Sequence, residues 1–214
     1  MANAELSEEA LRDEFLKPTK EGKERKWGPV ESGEGVNGPM PSLRRAKEES
    51  RPATTAEALV AALSAKGLTC AAAESCTGGG IGQAITSVSG ASAVFLGGVV
   101  SYANSVKREV LGVERTVLDG VGPVSEECAR QMARGARTLL KADLAVSVTG
   151  LAGPGGDGVR PAGYVWFGLA TAAGERTENR IFAGDRAAVR AAAVEHALSM
   201  LLAAAQLAPP ECSR

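Results

Sequence analysis

The ten residues from Ala71 to Gly80 constrain the fold of this chain more than any other stretch. An apolar run over 68–73 predicts a buried strand, and the run ends abruptly in polar residues. Three glycines follow and lead into apolar residues at helical spacing, which predicts a tight turn between a strand and a helix. Such a turn places small hydroxyl and thiol groups beside the unpaired N–H groups of a helix N-terminus, where negative charge is stabilised. The stretch therefore predicts either a site for an anion or a plain connection whose hydroxyl caps the helix.

Strands and helices alternate along the rest of the chain. The predicted strands are 68–73, 94–102, 144–148, 163–171 and 175–182, and the predicted helices are 55–66, a segment ending near 88, 103–111, 125–141 and 186–206. The second strand is continuously apolar, so we expect it to be buried on both faces. The last two strands form an antiparallel pair around Gly174. This order predicts an α/β fold, a three-layer α/β/α sandwich with a mixed, mainly parallel sheet.

Residues 1–50 differ from the rest in composition. They are charged, carry several glycines and prolines and contain few aliphatic residues. This composition predicts a mostly disordered N-terminal extension, with a short helix over 7–16. We expect the folded domain to span 51–208 and a short tail to span 209–214.

Charge and hydropathy exclude several classes of partner. The net charge is −1, so the chain lacks the basic excess of a nucleic-acid groove. No apolar run approaches the roughly 20 residues of a membrane span, and the N-terminus lacks the apolar centre of a secretory signal. We therefore expect a cytoplasmic protein that binds neither nucleic acid nor membrane.

The counts of cysteine and histidine limit the available chemistry. The four cysteines form no CxxC pair, which argues against a disulfide framework and a zinc site. The single histidine, His196, lies in an alanine-rich helical run, which disfavours a Ser-His-Asp triad and a multi-histidine metal centre. Any general base is therefore Lys, Tyr, Asp or Glu, and we expect no metal and no cofactor.

Two further polar segments follow predicted strands, where ligands bind in open α/β sheets. A glycine loop begins at Thr149, but neither glycine loop matches a nucleotide-phosphate motif. The other segment places Lys107 in the first turn of its helix, where the dipole lowers the pKa of the amine. Lys107 is therefore either a candidate base or a solvated surface lysine.

Several segments together carry a resemblance to a known family. In chain order they are Ala73-Glu74-Ser75-Cys76-Thr77-Gly78-Gly79, Ser101-Tyr102-Ala103-Asn104-Ser105-Val106-Lys107, Val110-Leu111-Gly112-Val113, Gly122-Pro123-Val124-Ser125, Ser147-Val148-Thr149-Gly150-Leu151-Ala152-Gly153-Pro154 and Gly184-Asp185-Arg186. These segments resemble the successive motifs of the CinA C-terminal domain family, and the resemblance covers about 55–206. It implies a stand-alone nicotinamide mononucleotide deamidase, which releases ammonia and nicotinic acid mononucleotide in pyridine nucleotide salvage.

The resemblance also implies roles for individual residues. Ser75 is the expected nucleophile, Lys107 the unprotonated base, and Tyr102 a neighbour that holds or relays the proton. Backbone N–H groups around Thr77, Gly78 and Gly79 are expected to receive the oxyanion. The remaining candidates for substrate binding, including the phosphate, are Asn104, Thr149, Gly150 and Arg186. The family resemblance further implies self-association and no requirement for a metal.

Other interpretations stay open. Cys76 is a rival nucleophile, because a helix N-terminus lowers the pKa of a thiol. The loop over 155–163 is shorter than is usual in the family and carries Arg160 where the family usually has lysine. The chain is alternatively a non-catalytic nucleotide- or partner-binding module of a competence or DNA-damage response, or an amidase or esterase for another small substrate.

Overall fold

The computed structural model describes residues 53–208, so the extension, the helix over 7–16 and the tail at 209–214 lie outside the described residues. The helices are α1 (Thr55–Lys66), α2 (Gly80–Thr86), α3 (Asn104–Glu109), α4 (Arg115–Asp119), α5 (Glu126–Leu140) and α6 (Arg186–Leu207). The strands are β1 (Cys70–Glu74), β2 (Phe95–Val100), β3 (Leu144–Gly150), β4 (Tyr164–Thr171) and β5 (Gly174–Ile181). Within 53–208 the predicted elements are all present, with ends shifted by at most about two residues.

The strands form one five-stranded sheet in the order β2-β1-β3-β4-β5. β1 pairs in parallel with β2 and β3, while β4 is antiparallel to both β3 and β5. The three-layer α/β fold with a mixed sheet is therefore confirmed, with parallel and antiparallel pairings in equal number. Because β1 and β2 are parallel neighbours, their carboxyl ends lie side by side.

Helices cover both faces of the sheet. On one face, α1, α2 and α6 pack against alternate strand residues such as Ala72 and Val146. On the other face, α5 packs against Ala71 and Ala145 through Met132 and Ala136. Alternate side chains of a strand point to opposite faces, so an all-buried β1 made mostly of alanine supports both layers at once.

The expectation that the second strand is buried on both faces is wrong. β2 lies at the edge of the sheet and alternates between half-buried and exposed residues, with Leu96 44% and Val100 52% exposed. An apolar run indicates burial but does not say whether a strand is central or at an edge. The short helix α4 and a single 3-10 turn at Ala91–Ala93 were not predicted, because neither is long enough to show a period.

The three longest helices begin at side-chain caps. Thr54 and Glu57 form the predicted capping box of α1, Ser125 caps α5, and Asp185 accepts from the N–H of Ala188 at the start of α6. α6 is by length and composition apolar enough to cross a membrane, contrary to the sequence-based expectation that no run approaches a span. In the described domain its buried residues, among them Val189, Ala193 and Leu201, belong to the core cluster beside the sheet.

Candidate active site

A serine and a lysine meet at the carboxyl ends of β1 and β2. Ser75 follows β1 directly, and Lys107 is reached from β2 through the first turn of α3. Lys107 Nζ lies 3.1 Å from Ser75 Oγ, although the residues are 32 positions apart in the chain. Ser75 is 9% exposed and Lys107 only 1% exposed. The parallel pairing of the two strands thus brings the two predicted catalytic groups together at the edge of a buried site.

Three oxygen atoms surround the amine of Lys107. Lys107 Nζ donates to the carbonyls of Ser101 at 2.6 Å and Tyr102 at 3.3 Å, and Ser75 Oγ is its third neighbour. An uncharged amine has two hydrogens and one lone pair. Since the carbonyls can only accept, they take the two hydrogens, and the lone pair is left for the hydroxyl hydrogen of Ser75. Lys107 and Ser75 therefore have the geometry of a base and its nucleophile.

Burial is the main cause that lowers the pKa of Lys107 below its ordinary value of 10.5. The helix dipole invoked from the sequence is not the cause, because α3 has only six residues and Lys107 lies in its last turn. Burial of the aliphatic stem removes water from the amine, and an ammonium loses more from that removal than an amine does.

Glu74 organises the turn that carries Ser75, a role that sequence reasoning missed. Its carboxylate is 2% exposed and accepts the N–H groups of Gly79, Ile81 and Gly82 at 2.9, 3.1 and 3.0 Å. These are among the unpaired N–H groups at the start of α2. The signal was present in the sequence, because an acidic residue that ends an apolar strand just before glycines is out of place unless it accepts hydrogen bonds.

The structure redistributes the candidate oxyanion donors. The N–H of Gly79 is held by Glu74, and the N–H of Gly78 donates to the carbonyl of Ser75 at 3.2 Å. Two of the three groups expected from the sequence are therefore used inside the turn, and the third, at Thr77, is not. Among residues 53–208, the N–H groups of Cys76 and Thr77 donate to no other residue. These two groups, next to Ser75, remain available for an oxyanion.

Arg190 on α6 is a second residue that the sequence did not indicate. Its Nε donates to the carbonyl of Cys76 at 3.1 Å, and its Nη2 donates to the carbonyl of Thr77 at 2.7 Å. The guanidinium thereby ties the turn after β1 to a helix more than a hundred positions later in the chain. No local pattern at Arg190 reveals such a contact.

Cys76 is less suited than Ser75 to nucleophilic attack. The residue is 5% exposed, and burial raises the pKa of its thiol to about 11, against smaller opposing effects of its own backbone N–H and of Arg186, Arg190 and Lys107. The expectation of a lowered thiol pKa fails because α2 begins only at Gly80. The thiol therefore stays protonated near neutral pH and lacks the thiolate that nucleophilic attack requires.

Three of the predicted residues line the outer part of the site. The side chain of Tyr102 is exposed, and the residue as a whole is 66% exposed. Its backbone carbonyl contacts the amine of Lys107, whereas its hydroxyl lies 3.5 Å from Arg186 Nη2. Arg186 also donates to the carbonyl of Gly153 at 2.7 Å. Asn104 is exposed at the first position of α3. A cation and polar groups thus stand next to the second glycine loop.

The other predicted binding residues are more buried. Thr149 is 1% exposed and donates to the carbonyl of Pro123 at 2.6 Å, and Gly150 is the last residue of β3. The expected turn at these two positions is therefore the end of a strand, and the Thr149 hydroxyl hydrogen is already used. Thr77 is fully buried, and within the described domain its hydroxyl is the one buried side-chain oxygen without a hydrogen-bond partner.

The short glycine loop is fastened by its arginine. Arg160 forms an ion pair with Asp157 at 2.9 Å, donates to the carbonyl of Val124 and lies over the ring of Tyr164. The residue that departs from the family pattern therefore fixes the loop over 155–163 to the start of α5. His196, by contrast, pairs with Glu178 at 2.6 Å and takes no part in these contacts.

The structure defines an α/β protein with a buried serine–lysine pair at the carboxyl ends of neighbouring parallel strands. Within residues 53–208, no group of three or more His, Cys, Asp or Glu side chains is arranged to hold a metal ion. The chain belongs to the CinA C-terminal domain family, whose sequence profile matches residues 52–205.

Individual relatives carry two kinds of name. The nicotinamide-nucleotide amidohydrolase PncC of Escherichia coli K12 is 47% identical over 142 residues, which cover 65% of this chain and 86% of that protein. A putative competence-damage inducible protein of Caldanaerobacter subterraneus is 44% identical over 146 residues, covering 68% of this chain. The match spans only 35% of that longer relative.

A solved structure agrees with the fold. A competence-damaged protein (CinA) superfamily protein from Klebsiella pneumoniae matches with a TM-score of 0.68 and 37% identity. The match covers 71% of this chain and 95% of that structure. At this identity the likeness extends to the sequence as well as the architecture.

Proposed function

We propose that this chain hydrolyses the carboxamide of nicotinamide mononucleotide to nicotinic acid mononucleotide and ammonia, without a metal. The observation that carries the proposal is the 3.1 Å contact between Ser75 Oγ and the buried amine of Lys107. Relatives named nicotinamide-nucleotide amidohydrolase, at 47 to 48% identity and 86 to 88% coverage of their own length, support this choice of substrate.

The first half-reaction forms an ester on Ser75. The lone pair of Lys107 accepts the hydroxyl proton while Ser75 Oγ bonds to the carboxamide carbon, and the carbonyl oxygen becomes an oxyanion. The N–H groups of Cys76 and Thr77 stabilise this charge. When the carbonyl re-forms, the C–N bond breaks, and Lys107 returns the proton to the departing nitrogen, which leaves as ammonia.

The second half-reaction consumes water. Lys107, again uncharged, takes a proton from a water molecule as its oxygen bonds to the ester carbon. The second oxyanion forms at the same N–H groups. Its collapse breaks the bond to Ser75 Oγ, which regains the proton from Lys107, and the carboxylate product leaves. One residue therefore serves as base and acid in both halves.

The outer residues of the site suit the nucleotide part of the substrate. Arg186 is an exposed cation beside Tyr102 and the glycine loop, so we assign it to the phosphate. Asn104, the exposed first residue of α3, is the other residue that we assign to the nucleotide part. A cytoplasmic location, self-association and a place in pyridine nucleotide salvage complete the proposal.

The test follows ammonia release from nicotinamide mononucleotide in the presence of a chelator. Ser75→Ala and Lys107→Met should each lower kcat by at least about 100-fold, since each removes the nucleophile or the base. Ser105→Ala and Arg108→Met are matched controls, because both residues are exposed on the helix that carries Lys107. The controls should retain kcat within about twofold.

Two outcomes contradict the proposal. Ammonia release that survives Lys107→Met in a folded protein would remove the assigned base. Tight binding of the nucleotide without turnover, unaffected by Lys107→Met, would instead favour the non-catalytic module. Hydrolysis of other pyridine carboxamides or esters but not of the nucleotide would keep the chemistry and change the substrate.

A further inference from the structure

The backbone of the turn from Ser75 to Gly79 has nearly complete hydrogen bonding. The N–H of Ser75 donates to the carbonyl of Val148, the N–H of Gly78 to the carbonyl of Ser75, and the N–H of Gly79 to Glu74. In the described part of the chain, the N–H groups of Cys76 and Thr77 are the exceptions. The direction in which these two N–H groups point depends on the contacts of the neighbouring carbonyls.

A planar trans peptide couples each N–H to the preceding carbonyl. The two groups point in opposite directions, so a contact that fixes one also fixes the other. Arg190 Nε holds the carbonyl of Cys76 at 3.1 Å and therefore sets the direction of the N–H of Thr77. No other described side chain contacts that carbonyl.

The second contact of Arg190 acts on the N–H of Cys76 through two peptide planes. Arg190 Nη2 holds the carbonyl of Thr77 at 2.7 Å, which orients the N–H of Gly78. That N–H donates to the carbonyl of Ser75 at 3.2 Å, and the Ser75 carbonyl is coupled to the N–H of Cys76. The N–H of Thr77 is thus oriented by the guanidinium directly, and the N–H of Cys76 by the guanidinium together with the N–H of Gly80, which also donates to the Thr77 carbonyl, at 3.3 Å.

The shape of arginine suits this task. The N–H bonds at Nε and Nη2 point in fixed directions because the guanidinium is rigid and planar. Two carbonyls that both accept from it are therefore fixed relative to each other. A lysine ammonium is a single point of charge on a flexible stem and cannot impose that relation. Within the described residues, Arg190 forms no hydrogen bond with Ser75 Oγ or Lys107 Nζ, so any effect on the reaction passes through the turn.

We propose that Arg190 is a positioning residue that aims the N–H groups of Cys76 and Thr77 at the oxyanion. The inference rests on the proposed function, because it takes Ser75 as the nucleophile. It assigns the geometry of the oxyanion site to a residue of α6, far along the chain from the nucleophile.

The kinetic test compares Arg190→Met with Arg190→Lys. We expect Arg190→Met to lower kcat by about 10- to 100-fold, somewhat less than the loss of a donor itself, with KM changed by less than about threefold. Arg190→Lys should recover only part of kcat. The control is Arg115→Met, which removes an exposed arginine of α4 and should leave kcat and KM unchanged.

A second measurement separates this inference from the choice of substrate. A fluorophosphonate probe phosphonylates a reactive serine: the Oγ–P bond forms, the P–F bond breaks and fluoride leaves, while the base takes the serine proton. Negative charge develops on the P=O oxygen during this step. Its labelling rate at Ser75, with Ser75→Ala as the blank, should fall in the Arg190 variants by about the same factor as kcat. If the wild type labels but releases no ammonia, the substrate is wrong while the labelling ratio still tests Arg190.

Two results would overturn the proposal for Arg190. Wild-type labelling rates in Arg190→Met, with only a lower melting temperature, would make Arg190 a structural residue and overturn the proposal. A fully active Arg190→Lys would show that charge rather than the planar fork matters, which also overturns it. If Arg190→Met does not fold, the lysine variant and its labelling rate decide alone.

Discussion

Replacement of Glu74 by glutamine tests how the nucleophile turn is held. The carboxylate Oε2 accepts two N–H groups, from Gly79 and Ile81, and Oε1 accepts a third, from Gly82. Glutamine keeps one accepting oxygen and presents an NH₂ group where the other stood. At best two hydrogen bonds survive, and one N–H faces another donor.

The size of the effect follows from those contacts. One buried N–H without a partner costs about 1–3 kcal/mol. The two surviving bonds lose their charge assistance, at about 1 kcal/mol each. We therefore expect Glu74→Gln to lower the free energy of unfolding by about 3–5 kcal/mol, a large share of the roughly 5–15 kcal/mol of an ordinary domain.

The assay is urea unfolding followed by circular dichroism, with the slope against urea compared between variants. Glu109→Gln is the control, because Glu109 forms an exposed ion pair with Arg108 and should change stability by less than about 1 kcal/mol. A Glu74→Gln protein as stable as the control would refute the reasoning. It would mean that water or a rearranged turn satisfies the N–H groups without the carboxylate.

Three further predictions concern titration and packing. The pKa of Lys107 is lowered, and its uncharged form is the proposed base. A plot of kcat/KM against pH should therefore rise with pH through a pKa below 10.5. A flat profile would contradict this. Because the pKa of the Cys76 thiol is raised to about 11, Cys76→Ala should keep most of kcat, and iodoacetamide should alkylate Cys76 only slowly in the folded protein at pH 7. Gly135→Ala should destabilise α5 despite the helix propensity of alanine, since its Cβ would lie 2.0 Å from the carbonyl oxygen of Leu111. Gly82→Ala meets only ordinary contacts and should be neutral or stabilising by up to about 1 kcal/mol. Equal shifts of the two variants in thermal unfolding would refute the packing argument.

Much of the architecture could be predicted from local sequence. Thr54 and Glu57 marked the start of α1, Asp185 marked the start of α6, and apolar runs marked the strands. Each of these signals acts over a few neighbouring residues, so it survives without knowledge of the fold. The edge position of β2 could not be predicted, because neighbours in a sheet are set by contacts between distant segments.

The same distinction, between local sequence signals and contacts of distant segments, applies to the candidate site. Ser75 and Lys107 were selected because they lie in motifs that resemble those of the family; their positions after predicted strands agreed with that choice but left alternatives open. The lowered pKa of Lys107 was predicted but assigned to the wrong cause, because desolvation rather than a helix dipole lowers it. The predicted direction for the Cys76 thiol was wrong, because burial raises its pKa. Both effects depend on burial by residues from elsewhere in the chain. The hydroxyl hydrogen of Thr149, a residue predicted to bind substrate, is likewise engaged by the carbonyl of Pro123, a contact that no local pattern indicated.

By itself, the sequence determined the order of strands and helices, the glycine turn and the reactive groups at its ends, because these are encoded in runs of a few residues. Only the tertiary structure decided that Glu74 and Arg190 hold the turn, that the amine of Lys107 meets the hydroxyl of Ser75, and which N–H groups stay available. Hydrogen bonds and desolvation act over a few ångströms in space, and the residues that supply them here lie up to 114 positions apart in the chain.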